Sequence, residues 1–274
     1  MATVVPRPAP TLDREKTLAG KRYSLIVGFD EVGRGSLAGP AMVGAAALLS
    51  RDIDEWTVPT GVADSKMLTE VRRQSLLEPL KTWSAAWAVG SVSAREIDEW
   101  GIVYALGVAA VRALNEIETL LTTGDHTDLG VGTAVAKAVS RQGISPAWHG
   151  TIGDIGGEEP GVRLKADELR VAGILDGPSD YITPVVNSFD APELLKPIAM
   201  TTVVKGDRQC ASVAAAAVIA KVTRDHLIED LAAAHPEYEA YGWSSNKGYG
   251  SVPHRAAIAK HGPTEYHRTT WHLC

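Results

Sequence analysis

The chain has 274 residues, a formal net charge of −6, 45% hydrophobic content and 22% charged residues. That balance is ordinary for a globular protein with one substantial domain, and no apolar run reaches the roughly 18 residues that a membrane-spanning helix needs. The acidic sum weighs mildly against a nucleic-acid partner, but phosphate binding depends on where Lys and Arg gather rather than on their total. Cys210 and Cys274 are too few for a disulfide framework and too far apart for a zinc motif, which suits a reducing cytoplasm.

Met1 to Pro10 carries three prolines and does not read as a secretory signal, so residues 1–21 are expected to form a flexible tail. SLIVGF at 24–29 is a short β-rich run ending at Asp30 and Glu31. The turn Gly33-Arg34-Gly35, the Gly39-Pro40 pair and the apolar run Ala41 to Leu49 then predict a hairpin with a functional loop. Thr69 to Leu80 is predicted helical with Thr69 as its cap, and a third strand is predicted near Ala85 to Val92. Ser93 and Glu96 fit a capping box. Beyond Gly101, Val103, Leu106, Ala110, Leu114, Ile117 and Leu121 recur at helical spacing.

Residues 122–170 are Gly-rich without a sustained period and are read as a surface insertion with partial structure. Val171 to Leu175 is a short strand ending at Asp176, and Thr201 to Lys205 another, ending at Gly206-Asp207. Residues 210–233 are alanine-rich and strongly helical. The tail from Tyr241 is aromatic, glycine-containing and basic. The order predicts a mixed α/β domain with a small helical end.

Three predicted strands therefore end in acids: Asp30-Glu31, Asp176 and Asp207. In open α/β sheets, ligands bind beyond strand ends, and carboxylates converging there repel one another unless cations neutralise them. Oxygen-only ligation suits Mg²⁺ or Mn²⁺, and two such ions can activate a water and stabilise the leaving oxygen of a phosphodiester. Asp207 precedes the long helix, whose positive end favours negative charge; it would serve equally as a helix N-cap with no catalytic role. Taken singly, each acid is as well explained as a turn residue or cap.

The residues around the acids decide between these readings. The segment from Gly28 to Pro40, GFDEVGRGSLAGP, closely resembles the signature of type 2 ribonucleases H (ribonuclease HII). Further blocks follow in that family's order: Ala63-Asp64-Ser65-Lys66; Leu175-Asp176-Gly177; Lys205-Gly206-Asp207 with Ser212 to Ala216 and Ala220 to Asp225; Asn246-Lys247-Gly248-Tyr249-Gly250; His254; and His267-Arg268. The resemblance implies an RNase H-like mixed sheet flanked by helices, with a small helical C-terminal region. It also implies cleavage on the 5′ side of a ribonucleotide, in RNA–DNA hybrids or in duplex DNA with embedded ribonucleotides, leaving 3′-hydroxyl and 5′-phosphate ends.

Carried onto this sequence, Asp30, Glu31, Asp176 and Asp207 are the catalytic metal-binding acids, and Mg²⁺ or Mn²⁺ is the cofactor. Gly33, Arg34, Gly35, Lys66, Lys247 and Tyr249 are the substrate-binding residues. Backbone at Gly33 and Gly35 can approach a ribose, Arg34 can reach a phosphate, and Tyr249 stacks on a sugar. The resemblance places the catalytic domain at 22–233 and a substrate-binding region at 234–274, in a monomer that needs no membrane and leaves room for a replication or repair partner. The strand that begins at Ser24 is expected to break at Glu31 so that Asp30 and Glu31 both turn toward the metals. Lys221 and Arg224 are expected to pair with Asp225 along the helix, and His254, His267 and Arg268 to pack at the rim without acting as bases.

Two stretches are longer than the family pattern, 122–170 and the loop from Tyr181 to Met200, and neither is expected to touch a motif. The long helix also reads Ala214 to Val218 where serine is common at one position. Three rivals remain at this stage: a carboxylate-and-magnesium phosphatase or phosphotransferase, a non-catalytic hybrid-binding module, and the type 3 enzyme, which the short N-terminal segment disfavours.

Overall fold

Strand β1 (Leu25–Val32) lies in the middle of the sheet and is buried along nearly its whole length, as its continuous apolar run requires. On one side it pairs antiparallel with β2 (Ala41–Leu49), which pairs antiparallel with β3 (Ala86–Val92), the hairpin order expected from sequence. On its other side β1 runs parallel to β5 (Val171–Asp176), and β5 parallel to β6 (Ile198–Val203). The computed structural model describes residues 9–63, 65, 68–123, 151–154 (backbone only) and 164–274. Lys66 and most of the expected 122–170 insertion lie outside these. Within that insertion, Thr151–Asp154 forms β4, antiparallel to β3, so among the described residues the sheet has six strands in the order β4-β3-β2-β1-β5-β6. Because β1 and β5 are parallel, their C-terminal ends bring their acids to the same edge of the sheet.

A helix covers each face. Leu25, Val27 and Phe29 of β1 pack with α4 (Ile102–Thr123), while Ile26, on the opposite face, packs with Cys210 and Val213 at the start of α5 (Ala211–Ala234). The alanine-rich α5 lies close against the sheet where Gly28 and Gly44 leave room: a Cβ on Gly28 would stand 2.3 Å from the Ser212 carbonyl carbon, and one on Gly44 2.4 Å from the Ala216 oxygen. Helix α2 (Glu70–Trp83) starts at its Thr69 cap, and α3 (Ala94–Trp100) carries the full Ser93/Glu96 capping box. The C-terminal helix α6 (Val252–His261) and the aromatic residues before it share the core beneath α5, through Tyr241, Trp243, Ile258 and Tyr266. No helix among the described residues is long and apolar enough to cross a membrane.

Three local expectations need correction. Residues Asp13–Gly20 of the expected tail form helix α1, and its Glu15 is fully buried. The Glu15 Oε1 atom accepts hydrogen bonds from the Ser212 amide (3.0 Å) and hydroxyl (2.7 Å). Helix α5 begins after Cys210, which makes no side-chain cap, so Glu15 supplies an acceptor that its first turn lacks locally. Asp207 is therefore not the N-cap of α5; it sits one turn earlier, in the 3₁₀ segment Gly206–Arg208. The strand before it also starts three residues sooner than expected and ends at Val203, with Lys205 in a left-handed conformation at φ 58°.

The segment between β5 and β6 is fastened to α4 by side chains. The Tyr104 hydroxyl donates to Asp190 (2.8 Å), the Asn115 amide to the Glu193 carbonyl (2.9 Å), and the Leu195 N–H to Glu118 Oε2 (2.7 Å). Glu118 is fully buried. Burial pushes its carboxyl from the ordinary 4.5 up to about 7, against the backbone N–H groups of Leu195 and Lys196, which favour the charged form. A carboxyl raised in the folded state contributes stability that is complete below its unfolded value and lost as pH rises through the folded one. Glu118→Gln cannot ionise. In urea titrations the midpoint advantage of wild type over this variant is expected to be larger near pH 4.5 than at pH 8.

Candidate active site at the ends of β1 and β5

The ladder between β1 and β2 continues through Asp30↔Gly44, Glu31↔Val43 and Val32↔Met42. The break expected at Glu31 is therefore absent, and period-2 alternation sends the two acids to opposite faces. Asp30, buried, leaves on the α5 side with Gly28, and its Oδ1 accepts the Glu31 N–H at 2.8 Å. Glu31 leaves on the α4 side, where Oε2 accepts the Tyr181 hydroxyl (3.1 Å) and Oε1 the Arg34 guanidinium (3.3 Å). The register Phe29↔Leu175 sets Asp176 beside Asp30 on the neighbouring strand. Asp176 Oδ1 accepts the Gly206 N–H at 2.6 Å, which ties β5 to the turn holding the buried Asp207.

The four acids thus gather at one sheet edge from three chain segments. Among the described residues, however, no three His, Cys, Asp or Glu side chains come together as a closed metal-binding group. The donor set still fits a hard divalent cation: it is all oxygen, and Mg²⁺-type ions commonly take only one or two carboxylates and complete their shell with water and substrate phosphate. Asp30, Glu31, Asp176 and Asp207 would hold such an ion in an open site.

A cleft of about 380 Å³ lies against Asp30 and Glu31, with Gly33, Arg34, Lys221 and Tyr249 among its walls. Its outer wall, the 33–40 loop, is pinned by two fully buried arginines. Arg224 donates to the carbonyls of Pro40 (2.8 Å), Ala38 (3.2 Å) and Lys247 (2.9 Å) and to Ser36 Oγ (2.8 Å). Arg268 donates to the carbonyls of Arg34 (2.7 Å), Gly33 (2.6 Å) and Gly39 (3.2 Å) and to the same Ser36 Oγ (2.9 Å). The Ser36 hydroxyl in turn donates to the Gly33 carbonyl at 2.8 Å, so its donor and both its lone pairs are used. Burial and the nearby Arg224 push Arg268 down to about 9, which leaves it charged at neutral pH.

Gly33 adopts φ +78°, and a Cβ there would meet Arg224 Nε at 2.2 Å. Its N–H donates to the Tyr249 hydroxyl at 3.2 Å, which locks the aromatic ring to the loop. The Arg224 guanidinium backs that ring at 5.4 Å from its centroid. The Tyr249 carbonyl accepts from His254 Nδ1 (2.9 Å), His254 Nε2 accepts from His267 Nε2 (3.1 Å), and His267 Nδ1 accepts from the Thr264 N–H (2.9 Å). These partners assign both tautomers. Burial and His254 push His267 down to about 4, and burial lowers His254 as well, so both rings are neutral packing elements as expected.

Not every expected substrate residue reaches the cleft. Gly33, Arg34, Gly35 and Tyr249 line it, with Arg34 and Gly35 exposed at its mouth. Lys247 pairs with Glu229 and the Ser244 carbonyl instead, and Lys66 lies outside the described residues. Lys221, expected to be structural, bonds Asp225 at 2.7 Å as anticipated but also lines the cleft. Arg224 makes no such pair and serves the loop instead. Tyr181, in the stretch expected to touch no motif, reaches Glu31. Its partner is 150 residues away, and no local pattern marks it.

The family model described as Ribonuclease HII matches residues 27–139 and 179–274. The chain belongs to the ribonuclease HII family. A ribonuclease HII of Streptomyces avermitilis is 35% identical over 97% of this chain and 85% of that protein, and one from Roseiflexus castenholzii is 33% identical over 97% and 90%. The ribonuclease H2 of Pyrococcus horikoshii shares the fold, with a TM-score of 0.53, 24% identity and coverage of 91% of this chain and 94% of that one. So does an RNase HIII, Bst-RNase HIII, crystallised in complex with Mn²⁺ (TM-score 0.50, 18% identity, 93% and 70% coverage). This chain is thus an endoribonuclease of RNA–DNA hybrids in a metal-dependent family, which sets aside the phosphatase and the non-catalytic binder. Asp176 falls between the two matched segments, so its place beside Asp30 rests on the sheet register.

Ser36→Ala tests the arginine clasp. It removes the acceptor shared by two buried guanidinium groups and is expected to cost about 2 kcal/mol in urea unfolding. A loss below about 0.5 kcal/mol would show that the carbonyls alone hold the loop.

Proposed function

We propose that this chain cuts the phosphodiester on the 5′ side of a ribonucleotide, in hybrids and at single ribonucleotides embedded in duplex DNA, leaving 3′-hydroxyl and 5′-phosphate ends. The observation that carries this reading is the Gly33 N–H to Tyr249 hydroxyl bond, which fixes a loop and an aromatic ring as one unit directly beside Asp30 and Glu31. A cleft walled on one side by carboxylates and on the other by backbone and an aromatic face suits a ribose with its adjacent phosphate.

Each group has a task in this reading. Asp30, Glu31, Asp176 and Asp207 hold divalent cations at the sheet edge, and the Mn²⁺ of the RNase HIII complex supports Mn²⁺ as well as Mg²⁺. When bound, such ions supply an activated water and neutralise charge on the leaving oxygen. The Gly33-to-Gly35 backbone lies where a 2′-hydroxyl, the group that separates RNA from DNA, would meet it. Arg34 is half exposed and able to swing from Glu31 to a substrate phosphate. Tyr249 offers a ring face to the sugar beside the ribonucleotide, and Lys221 adds positive charge at the cleft wall. His254 and His267 spend their ring nitrogens on one another, Trp243, Thr264 and Tyr249, so activation of water falls to the acids and their ions. Two free thiols suit work in the reducing cytoplasm.

Cleavage of a duplex bearing one ribonucleotide, with and without Mg²⁺ or Mn²⁺, is the test. Asp30→Asn is expected to lower the rate at least about 100-fold, the scale for losing one group that stabilises transition-state charge; equal rates for the two proteins would sink the proposal. Tyr249→Ala is expected to weaken cleavage at the RNA-to-DNA junction by roughly tenfold, in line with the loss of one stacking contact, while metal binding stays unchanged. Unaltered junction kinetics would remove Tyr249 from the recognition surface.

A further inference from the structure

We propose that Tyr181 is a positioning residue for Glu31: its hydroxyl holds one carboxylate oxygen at 3.1 Å and sets the direction in which the other faces the site. The proposal rests on the reading of Glu31 as a metal-binding acid.

The two partners of Glu31 differ in kind. Arg34 bonds Oε1 at 3.3 Å from a side chain that is 50% exposed, so a substrate phosphate competes directly for it. Tyr181 is 5% exposed and packed in the core on the α4 face. If Arg34 moves to the substrate, Tyr181 remains as the protein donor on this carboxylate. A tyrosine hydroxyl is protonated at neutral pH, so it stays a donor.

The backbone that carries Tyr181 is fixed with unusual thoroughness for a segment outside every motif. Asp180 Oδ1 accepts the amides of Ile182 (2.8 Å) and Thr183 (3.0 Å), and its Oδ2 accepts the Thr183 hydroxyl (2.5 Å), which closes the turn around Tyr181. Beneath it, α4 approaches at Gly107, where a Cβ would stand 2.2 Å from the Tyr181 carbonyl oxygen. Further along, Asp190, Glu193 and Leu195 are tied to Tyr104, Asn115 and Glu118 of the same helix. The longer loop is thus a braced arm that delivers one hydroxyl to the site. A carboxylate so held loses little freedom on binding a cation, which is how a partner outside the ligand set tunes affinity.

The test is Mn²⁺ binding to the free protein without nucleic acid, followed by electron paramagnetic resonance, for wild type, Tyr181→Phe and Asp30→Asn. Phenylalanine keeps the ring and its packing. Tyr181→Phe is expected to weaken Mn²⁺ binding about tenfold, with the thermal midpoint unchanged. It should also raise the metal concentration for half-maximal cleavage while kcat at saturating metal is retained. A purely packing role would move the midpoint and leave the metal titration alone. If Asp30→Asn weakens Mn²⁺ binding but Tyr181→Phe stays within twofold of wild type, the positioning role is overturned and the acid site stands. If Asp30→Asn itself leaves binding unchanged, the acid site falls and the role of Tyr181 falls with it.

Discussion

The site depends on two buried guanidinium groups, neither bonded to a carboxylate among the described residues. Burial lowers the affinity of both for a proton, and the nearby Arg224 lowers that of Arg268 further. What offsets it is the density of carbonyl oxygens: the loop from Gly33 to Pro40 turns its peptide oxygens inward to meet the two planar donors, and Ser36 bridges them. A loop that satisfies two buried cations has little freedom left. Its outer surface, at Arg34 and Gly35, is therefore held in a set shape without contacts of its own.

That arrangement gives the C-terminal region its task. Arg268 comes from it, Arg224 also grips the Lys247 carbonyl, and the Leu37 and Ala38 amides both donate to the Gly248 carbonyl. Tyr249 then bonds back to Gly33, and the neutral histidine pair holds its carbonyl. Loop and C-terminal segment form one interlocked wall of the cleft. The residues past α5 share the core under that helix as well, so the wall is continuous with the fold.

Much of this was legible in the sequence because the signals were local. The β1–β2 hairpin, the Thr69 and Ser93 caps and the long α4 and α5 helices follow from periodicity and end chemistry within a few residues. What was not legible depends on distant partners. Glu15 caps a helix 197 residues away, which turned an expected tail into α1. Lys247 is a basic residue in a glycine-rich motif, yet Glu229 takes its charge. A strand break at Glu31 was a reasonable inference from the turn at Gly33. The length of β2 decided otherwise, because Val43 and Met42 remain to pair with Glu31 and Val32.

The unbroken strand has a consequence for how the acids work together. Alternation places Asp30 over the α5 layer and Glu31 over the α4 layer, so each acid inherits its surroundings from a different half of the core. On the α5 side, the Gly28 and Gly44 contacts set how close the helix lies to the strand that carries Asp30, while Lys221 and Arg224 extend the same helix toward the cleft. On the α4 side, the arm from Asp180 to Leu195 brings Tyr181 to Glu31. Among the described residues no three acidic side chains close into a cage at that edge. A divalent cation held there would be completed from the open side, by water and by the phosphate of a bound strand. Metal and substrate are thus expected to bind cooperatively, because each supplies oxygens or charge that the other lacks.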